Sequence, residues 1–161
     1  MSMTLVQTIA VFFAKYVIFL LVFAAGLWLL LKVPRQEKKA VIIFGAICLP
    51  LIFIASLIAA KLYYDPRPFM AGNFTPLLAH SPGNGFPSDH TLLGAAIASV
   101  VWRFNRRFGA VLLATALTIG LSRVYVGVHH MADILGAILI ATSITYLVNL
   151  VMKRVPYLQK L

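Results

Sequence analysis

Sorted into apolar and polar positions, the chain shows five apolar segments, at roughly 4–31, 40–60, 88–102, 108–128 and 132–152, separated by mostly short polar breaks. A helical run near twenty residues is long enough to cross a hydrocarbon core of about 30 Å. The pattern therefore predicts an all-α integral membrane protein, a bundle of about five transmembrane helices in one domain over 1–161. The third segment is short and emerges from the Gly/Pro-rich stretch PGNGFPSDH, which predicts that protein rather than lipid shelters its first turns. Pro50 predicts a kink in the second span, because proline lacks a backbone donor and crowds the preceding turn. Only one connection is long. It covers 62–86, with four prolines, three glycines, and Tyr63, Tyr64 and Phe69 where interfacial aromatics belong. A loop of that length in a small domain points to function.

Composition strengthens this reading: 61% of the 161 residues are hydrophobic and 11% charged, with a mean hydropathy of +0.94. A soluble domain of this size has no use for so much apolar surface, which excludes a soluble pyrophosphatase. Cys48 is the sole cysteine, so neither a disulfide framework nor a CxxC motif exists. The first apolar run has no basic residue before Lys15 and no small-residue cleavage site leading to a soluble domain, so it is expected to remain as a span.

Charge orients the bundle. Ten of the fourteen basic residues fall in three groups, Lys32 to Lys39, Arg103 to Arg107 and Lys153 to Lys160, which follow spans one, three and five. The positive-inside rule places all three groups, and with them the C-terminus, in the cytoplasm, and the N-terminus outside. The net charge of +10 is then explained by topology and by attraction to anionic membrane lipids rather than by nucleic acid. Lys15 is expected to snorkel outward. The outer side holds Lys61, Arg67 and Arg123 against this trend, together with Asp65, Asp89, Asp133 and all four histidines.

Basic residues on the disfavoured side, beside histidines, imply an anion site, and phosphate suits both Arg and Lys. Ser88 is the expected N-cap of the third span, whose free first-turn amides form an anion cradle. His129 and Asp133 are four residues apart, a spacing that lets the carboxylate accept the imidazole Nδ1 hydrogen and leaves Nε2 as nucleophile or base. His90 is placed to protonate a leaving oxygen. Ionisable groups beside lipid spans are costly unless used, so SRVYVGVHHMAD (122–133) reads as a site. None of these roles requires a metal or other cofactor.

KLYYDPRP (61–68), PSDH (87–90) and SRVYVGVHHMAD resemble, in order, the three signatures of the type 2 phosphatidic acid phosphatase (PAP2) family, the membrane branch of the superfamily that includes vanadium haloperoxidases. The family patterns read K-x6-RP, PSGH and SR-x5-H-x3-D, and the resemblance covers residues 61–133. It implies that His129 is the nucleophile, Asp133 its orienting partner and His90 the general acid, with Lys61, Arg67, Ser88 and Arg123 binding phosphate and no metal taking part. The small size and the FPSDHT form of the second motif look most like the bacterial undecaprenyl diphosphate phosphatases of this family. That implies a plasma-membrane enzyme with an extracytoplasmic active site, hydrolysing the terminal phosphate of a polyprenyl diphosphate through a phosphohistidine. A phosphatidylglycerophosphate or phosphatidate phosphatase would use the same residues.

Two positions depart from the pattern. Lys61 stands one residue too close to Arg67, which on a helix turns it by about 100°, and Pro66 offers a break that absorbs the shift. Asp89 replaces glycine and is expected to face away from phosphate as a helix-start acid. His130 is expected at the interface with a solvated tip, and His80, outside every motif, is expected to face solvent. Taken alone, HHMAD would also suit zinc, but Arg123 on the same segment opposes a divalent cation. A non-catalytic anion carrier is the reading of a different class, and the lack of internal repeats and the order of the motifs count against it. If His129 must be neutral and His90 protonated, the pH profile is bell-shaped.

Overall fold

In the computed structural model, which describes residues 3–72 and 74–154, the regular elements are seven helices. They are α1 (Leu5–Lys15), α2 (Val17–Leu31), α3 (Arg35–Leu62), α4 (Pro68–Ala71), α5 (Asp89–Phe104), α6 (Arg106–Tyr125) and α7 (Met131–Arg154). Lys160, placed above in the third basic group, lies outside the described residues.

The centre of the bundle is α5, packed against α6, α7 and α3. Asn105 alone joins α5 to α6, and its side chain accepts from the Phe108 amide at 3.0 Å, so one residue ends a helix and caps the next. Small residues let the backbones close up. Ala95, Ala96, Ala137 and Ala141 are buried with Phe44, Cys48 and Ile52 in one cluster, and Ala98 and Ala116 sit in a second with Leu21 and Ile119. Between helices in lipid such contacts matter more than apolarity, because the surrounding tails are as apolar as leucine. The outward faces carry Leu, Phe, Ile and Val: Phe19, Phe23, Phe53, Ile54, Leu139 and Val151 are all exposed.

The five segments are recovered as helices, with two differences. The run at 4–31 is not one straight span: it breaks at Tyr16 into α1 and α2, which are bent by 47°. Helices α3, α6 and α7 are long and apolar enough to cross a membrane, and the bent pair makes a fourth if it counts as one span. Helix α5 has only 16 residues, as its short apolar run and sheltered start anticipate. Pro50 lies exposed inside α3, and the helix runs through it unbroken.

Helix α1 begins at a full capping box between Thr4 and Gln7. Its last turns pack beside the 126–128 turn, where Ala14, Val126 and Val128 are buried together. That bend brings α1 to the end of the bundle where the long 62–86 connection and the α6–α7 turn meet.

Candidate active site

The segment 122–133 is not one helix. α6 stops at Tyr125, Gly127 takes a left-handed φ of +82°, and α7 starts at Met131. A Cβ at position 127 would also come within 2.6 Å of the Phe74 ring, so glycine serves both the turn and the close approach. The turn places His129 just before α7 and Asp133 in its first turn.

Asp133 is fully buried, and its Oδ2 takes two donors: His129 Nδ1 at 3.0 Å and the His130 amide at 2.9 Å. The second bond is the returning half of a capping box, so one carboxylate both starts α7 and orients the imidazole. On the other side of the ring, Arg67 Nη1 lies 3.3 Å from His129 Nε2 and also donates to the Val128 carbonyl at 3.0 Å. Both ring contacts are satisfied together when the imidazole hydrogen is on Nδ1 and Nε2 presents its lone pair.

Arg67 is held by its loop. Asn84 Oδ1 accepts from the amides of Asp65 and Phe86, at 2.9 and 3.0 Å, while its Nδ2 donates to the carbonyls of Ala60 and Tyr63, at 2.9 and 3.1 Å. The Gly85 amide bonds Asp65 O at 2.7 Å, and the Arg67 amide bonds Gly83 O at 3.3 Å. A Cβ on residue 85 would lie 2.7 Å from Asp133 Oδ2, so only glycine lets this loop pass over the carboxylate. The chain enters α5 through a cis Phe86–Pro87 peptide.

Arg123 is 3% exposed on the last turn of α6 and donates to Ala14 O at 3.0 Å. That carbonyl is near the break between α1 and α2, which explains why the bend matters to the site. The Nε atoms of Arg67 and Arg123 are both buried without a hydrogen-bond partner. Two guanidiniums with an unmet donor each lie beside a histidine, an arrangement that can accept an anion.

Ser88 is fully buried at the N-cap position of α5, but its hydroxyl does not cap the helix. Its Oγ instead accepts from Thr91 Oγ1 at 3.2 Å, and its amide donates to Asp133 O. The expected capping bond is thus corrected, and the hydroxyl hydrogen is left to donate elsewhere. His90, half-buried on the next position, interacts electrostatically with Arg123, His129 and Asp89. Asp89 is exposed at the helix start, yet its charge acts on Arg67, Arg123 and His90, so it is not remote from the site as an acid facing away would be. Lys61 is not drawn into this network: it is exposed on the last turn of α3 and forms no hydrogen bond or ion pair with the described residues.

His80 differs from expectation. It is half-buried rather than solvent-facing, edge-on to the His129 ring with centroids 6.3 Å apart. Its burial lowers its pKa, the Ser81 carbonyl opposes this, and the cations Arg67 and Arg123 add to the lowering. His129 is shifted in the same direction, first by burial and then by Arg123 and Arg67, against the Asp133 hydrogen bond. Burial also lowers Arg67, while Asp89 and Asp133 support its charge.

Three participants carry no motif: His80, Asn84 and Gly85. The Asn-Gly pair was a visible turn signal in the sequence, but its partners lie up to 24 residues away. His130 Nδ1 lies 3.1 Å from Asp65 Oδ1, a close polar contact that is not aligned as a hydrogen bond. Asp65, His130 and Asp133 present ligand atoms within 4.8 Å of one another, the grouping among the described residues with the spacing to hold a metal ion. Asp133 Oδ2 is already committed to two donors, and Arg67 interacts with Asp133, which sets a fixed cation against a second one.

The chain is similar to proteins of known identity over most of its length. It is 34% identical over 146 residues to the undecaprenyl-diphosphatase BcrC of Bacillus subtilis, an alignment that covers 89% of this chain and 74% of the relative. Its fold matches the crystal structure of Aquifex aeolicus LpxE with a TM-score of 0.67 at 24% identity, covering 92% of this chain and 87% of that one. It also matches a transmembrane PAP2-type phosphatidylglycerolphosphate phosphatase from Bacillus subtilis, with a TM-score of 0.60 at 19% identity, covering 96% and 80%. The family model of the PAP2 superfamily covers residues 40–157, which include all three motifs and every residue of the site except the Ala14 carbonyl, and the chain is a membrane-embedded member of that superfamily.

Proposed function

We propose that the protein hydrolyses the terminal phosphate of undecaprenyl diphosphate through a phosphohistidine on His129. The observation that carries this reading is the His129 ring, with Nδ1 on buried Asp133 and Nε2 facing Arg67. An imidazole oriented in this way is a nucleophile aimed at a cationic space.

When the diphosphate enters, the Arg67 and Arg123 guanidiniums meet the terminal phosphate oxygens, with Ser88 donating its hydroxyl and Lys61 reaching in from the rim. His129 Nε2 attacks the terminal phosphorus. The bond to the bridging oxygen breaks, and undecaprenyl phosphate leaves with a proton from His90. Asp133 stabilises the charged ring through Nδ1. Water then gives a proton to His90 and attacks phosphorus, inorganic phosphate leaves, and His129 is restored. The cations balance charge that spreads over the phosphoryl oxygens in each transition state.

The membrane setting supports a lipid substrate, since exposed Tyr63 and Tyr64 border the Arg67 loop at the boundary where a headgroup meets its tail. The basic groups between the apolar segments support an extracytoplasmic site and a cytoplasmic C-terminus under the positive-inside rule. The diphosphatase named at 34% identity favours undecaprenyl diphosphate, whereas the phosphatidylglycerolphosphate phosphatase shares the fold at 19% identity. That second lipid is the runner-up, followed by phosphatidate.

The test is phosphate release from undecaprenyl diphosphate, phosphatidylglycerophosphate and phosphatidate by the purified full chain in detergent with excess EDTA, alongside His129→Ala. Release that survives EDTA, vanishes in the variant and is fastest on the diphosphate supports the proposal. A metal requirement or activity without His129 overturns the mechanism, a different ranking overturns the substrate, and no release from any lipid returns weight to an anion carrier.

A further inference from the structure

At the end of the bundle opposite His129, helices α3, α5, α6 and α7 line an open cavity of about 340 Å³ that has no part in the proposed reaction. Its lining joins apolar and aromatic surface from Phe44, Trp102 and Tyr146 to polar groups of Arg103, Thr142 and Asn149. Trp102 and Tyr146 are exposed at its mouth, as amphipathic rings at a membrane boundary are.

The Arg103 guanidinium lines this cavity from an exposed side chain. It lies over the rings of Phe44 and Phe104, 5.7 and 5.3 Å from their centroids, and pairs with no carboxylate among the described residues. Nearby Arg106 and Arg107 add positive charge, and three of the four acids, Asp65, Asp89 and Asp133, are at the other end of the molecule. Glu37, the fourth acid, starts α3 at this end but forms no ion pair with Arg103 among the described residues, which leaves the exposed guanidinium open to an anion from outside the chain.

A second observation is independent of charge. Asn149 Oδ1 is shielded from solvent and accepts from no donor, an arrangement that costs free energy unless a ligand donor fills it. Thr142 supplies no such donor, because its hydroxyl is directed at the Ile138 carbonyl at 2.8 Å.

We propose that this cavity binds an anionic glycerophospholipid of the surrounding leaflet. Its phosphate pairs with Arg103, a headgroup hydroxyl donates to Asn149 Oδ1, and its glycerol and upper acyl chains lie against Trp102 and Tyr146. Basic pockets between transmembrane helices take anionic lipids by this combination of a cation and apolar walls. A free phosphate has no use for those walls, so the occupant is the lipid. The site is separate from the reaction at His129, so failure of either reading leaves the other standing.

The experiment is native mass spectrometry of the full chain offered dioleoylphosphatidylglycerol or dioleoylphosphatidylcholine at equal concentration. Selective retention of phosphatidylglycerol is expected, falling about fivefold in Arg103→Gln, the effect of one basic side chain at a membrane surface. Arg106→Gln, which removes the same charge outside the cavity, leaves retention unchanged. Thr142→Phe, which fills the cavity and keeps Arg103, lowers it as Arg103→Gln does, and carries the test if the arginine variant does not fold. Equal retention of both lipids, an equal loss in Arg106→Gln, or displacement by millimolar inorganic phosphate overturns the proposal.

Discussion

Arg67 and His129, 62 residues apart in the chain, meet at 3.3 Å between Nη1 and Nε2. The contact joins the cation expected to hold phosphate to the atom expected to attack it, and it occupies the position a phosphoryl group would take between them. In the proposed reaction the guanidinium gives up the imidazole and takes phosphate oxygens as acceptors instead, so the two side chains part as substrate enters.

Asp133→Asn is expected to lower kcat by a factor of about 10³, with KM changed less than threefold, because an amide in that position no longer fixes the hydrogen on His129 Nδ1. Steady-state kinetics on the preferred lipid checks this. An equal fall in thermal stability and activity would instead assign Asp133 to capping α7.

The acidic limb of the pH profile follows from His129. Protonation of Nε2 removes the nucleophile, so activity is lost as pH falls through the His129 pKa. Burial and the two arginines hold that pKa below the ordinary histidine value, so kcat/KM is expected to persist below about pH 6.5. Arg67→Gln removes one of the lowering cations and is expected to move the residual activity's acidic limb upward. A limb that stays in place, or moves down, would count against the assignment.

Gly85→Ala is expected to reduce kcat by about 10² through displacement of the Asp133 carboxylate, since a shift near 1 Å at a reacting group costs about that much. The new methyl would sit 2.7 Å from Oδ2. Alanine at Gly26, where added carbon meets nothing within 4 Å, is the control and should leave turnover within twofold.

Asn84→Ala removes four hydrogen bonds that hold the Arg67 loop. At about 1 kcal/mol each, less what water restores, a loss of roughly 2 kcal/mol is expected. Asn84→Asp keeps the two acceptor bonds and should fall in between. Thermal unfolding in detergent, with KM measured in parallel, separates loop loosening from global destabilisation.

Lys61→Ala is expected to raise KM about tenfold with kcat nearly unchanged, whereas Arg67→Ala should lower kcat/KM by more than 10². The contrast follows from placement, since Lys61 is exposed without a partner among the described residues and Arg67 is buried against His129. Equal losses would show that Lys61 closes onto the phosphate in the bound state.

The sequence by itself determined the lipid-facing helices, the grouping of basic residues between them and the pairing of His129 with Asp133. Those properties are local: an apolar run of sufficient length forms a helix in lipid whatever surrounds it, and the spacing of His129 and Asp133 brings their side chains together across a single turn. The tertiary structure alone decided the rest. The break at Tyr16 that offers the Ala14 carbonyl to Arg123, the Asn84 bonds that seat Arg67, the approach of His80 to His129 and the failure of Ser88 to cap α5 all depend on partners from distant segments. Apolar periodicity specifies that a face is buried but not which carbonyl, ring or carboxylate will lie against it. That choice is made when the helices pack, because each buried polar group then has to find its partner among the few that the packing brings within reach.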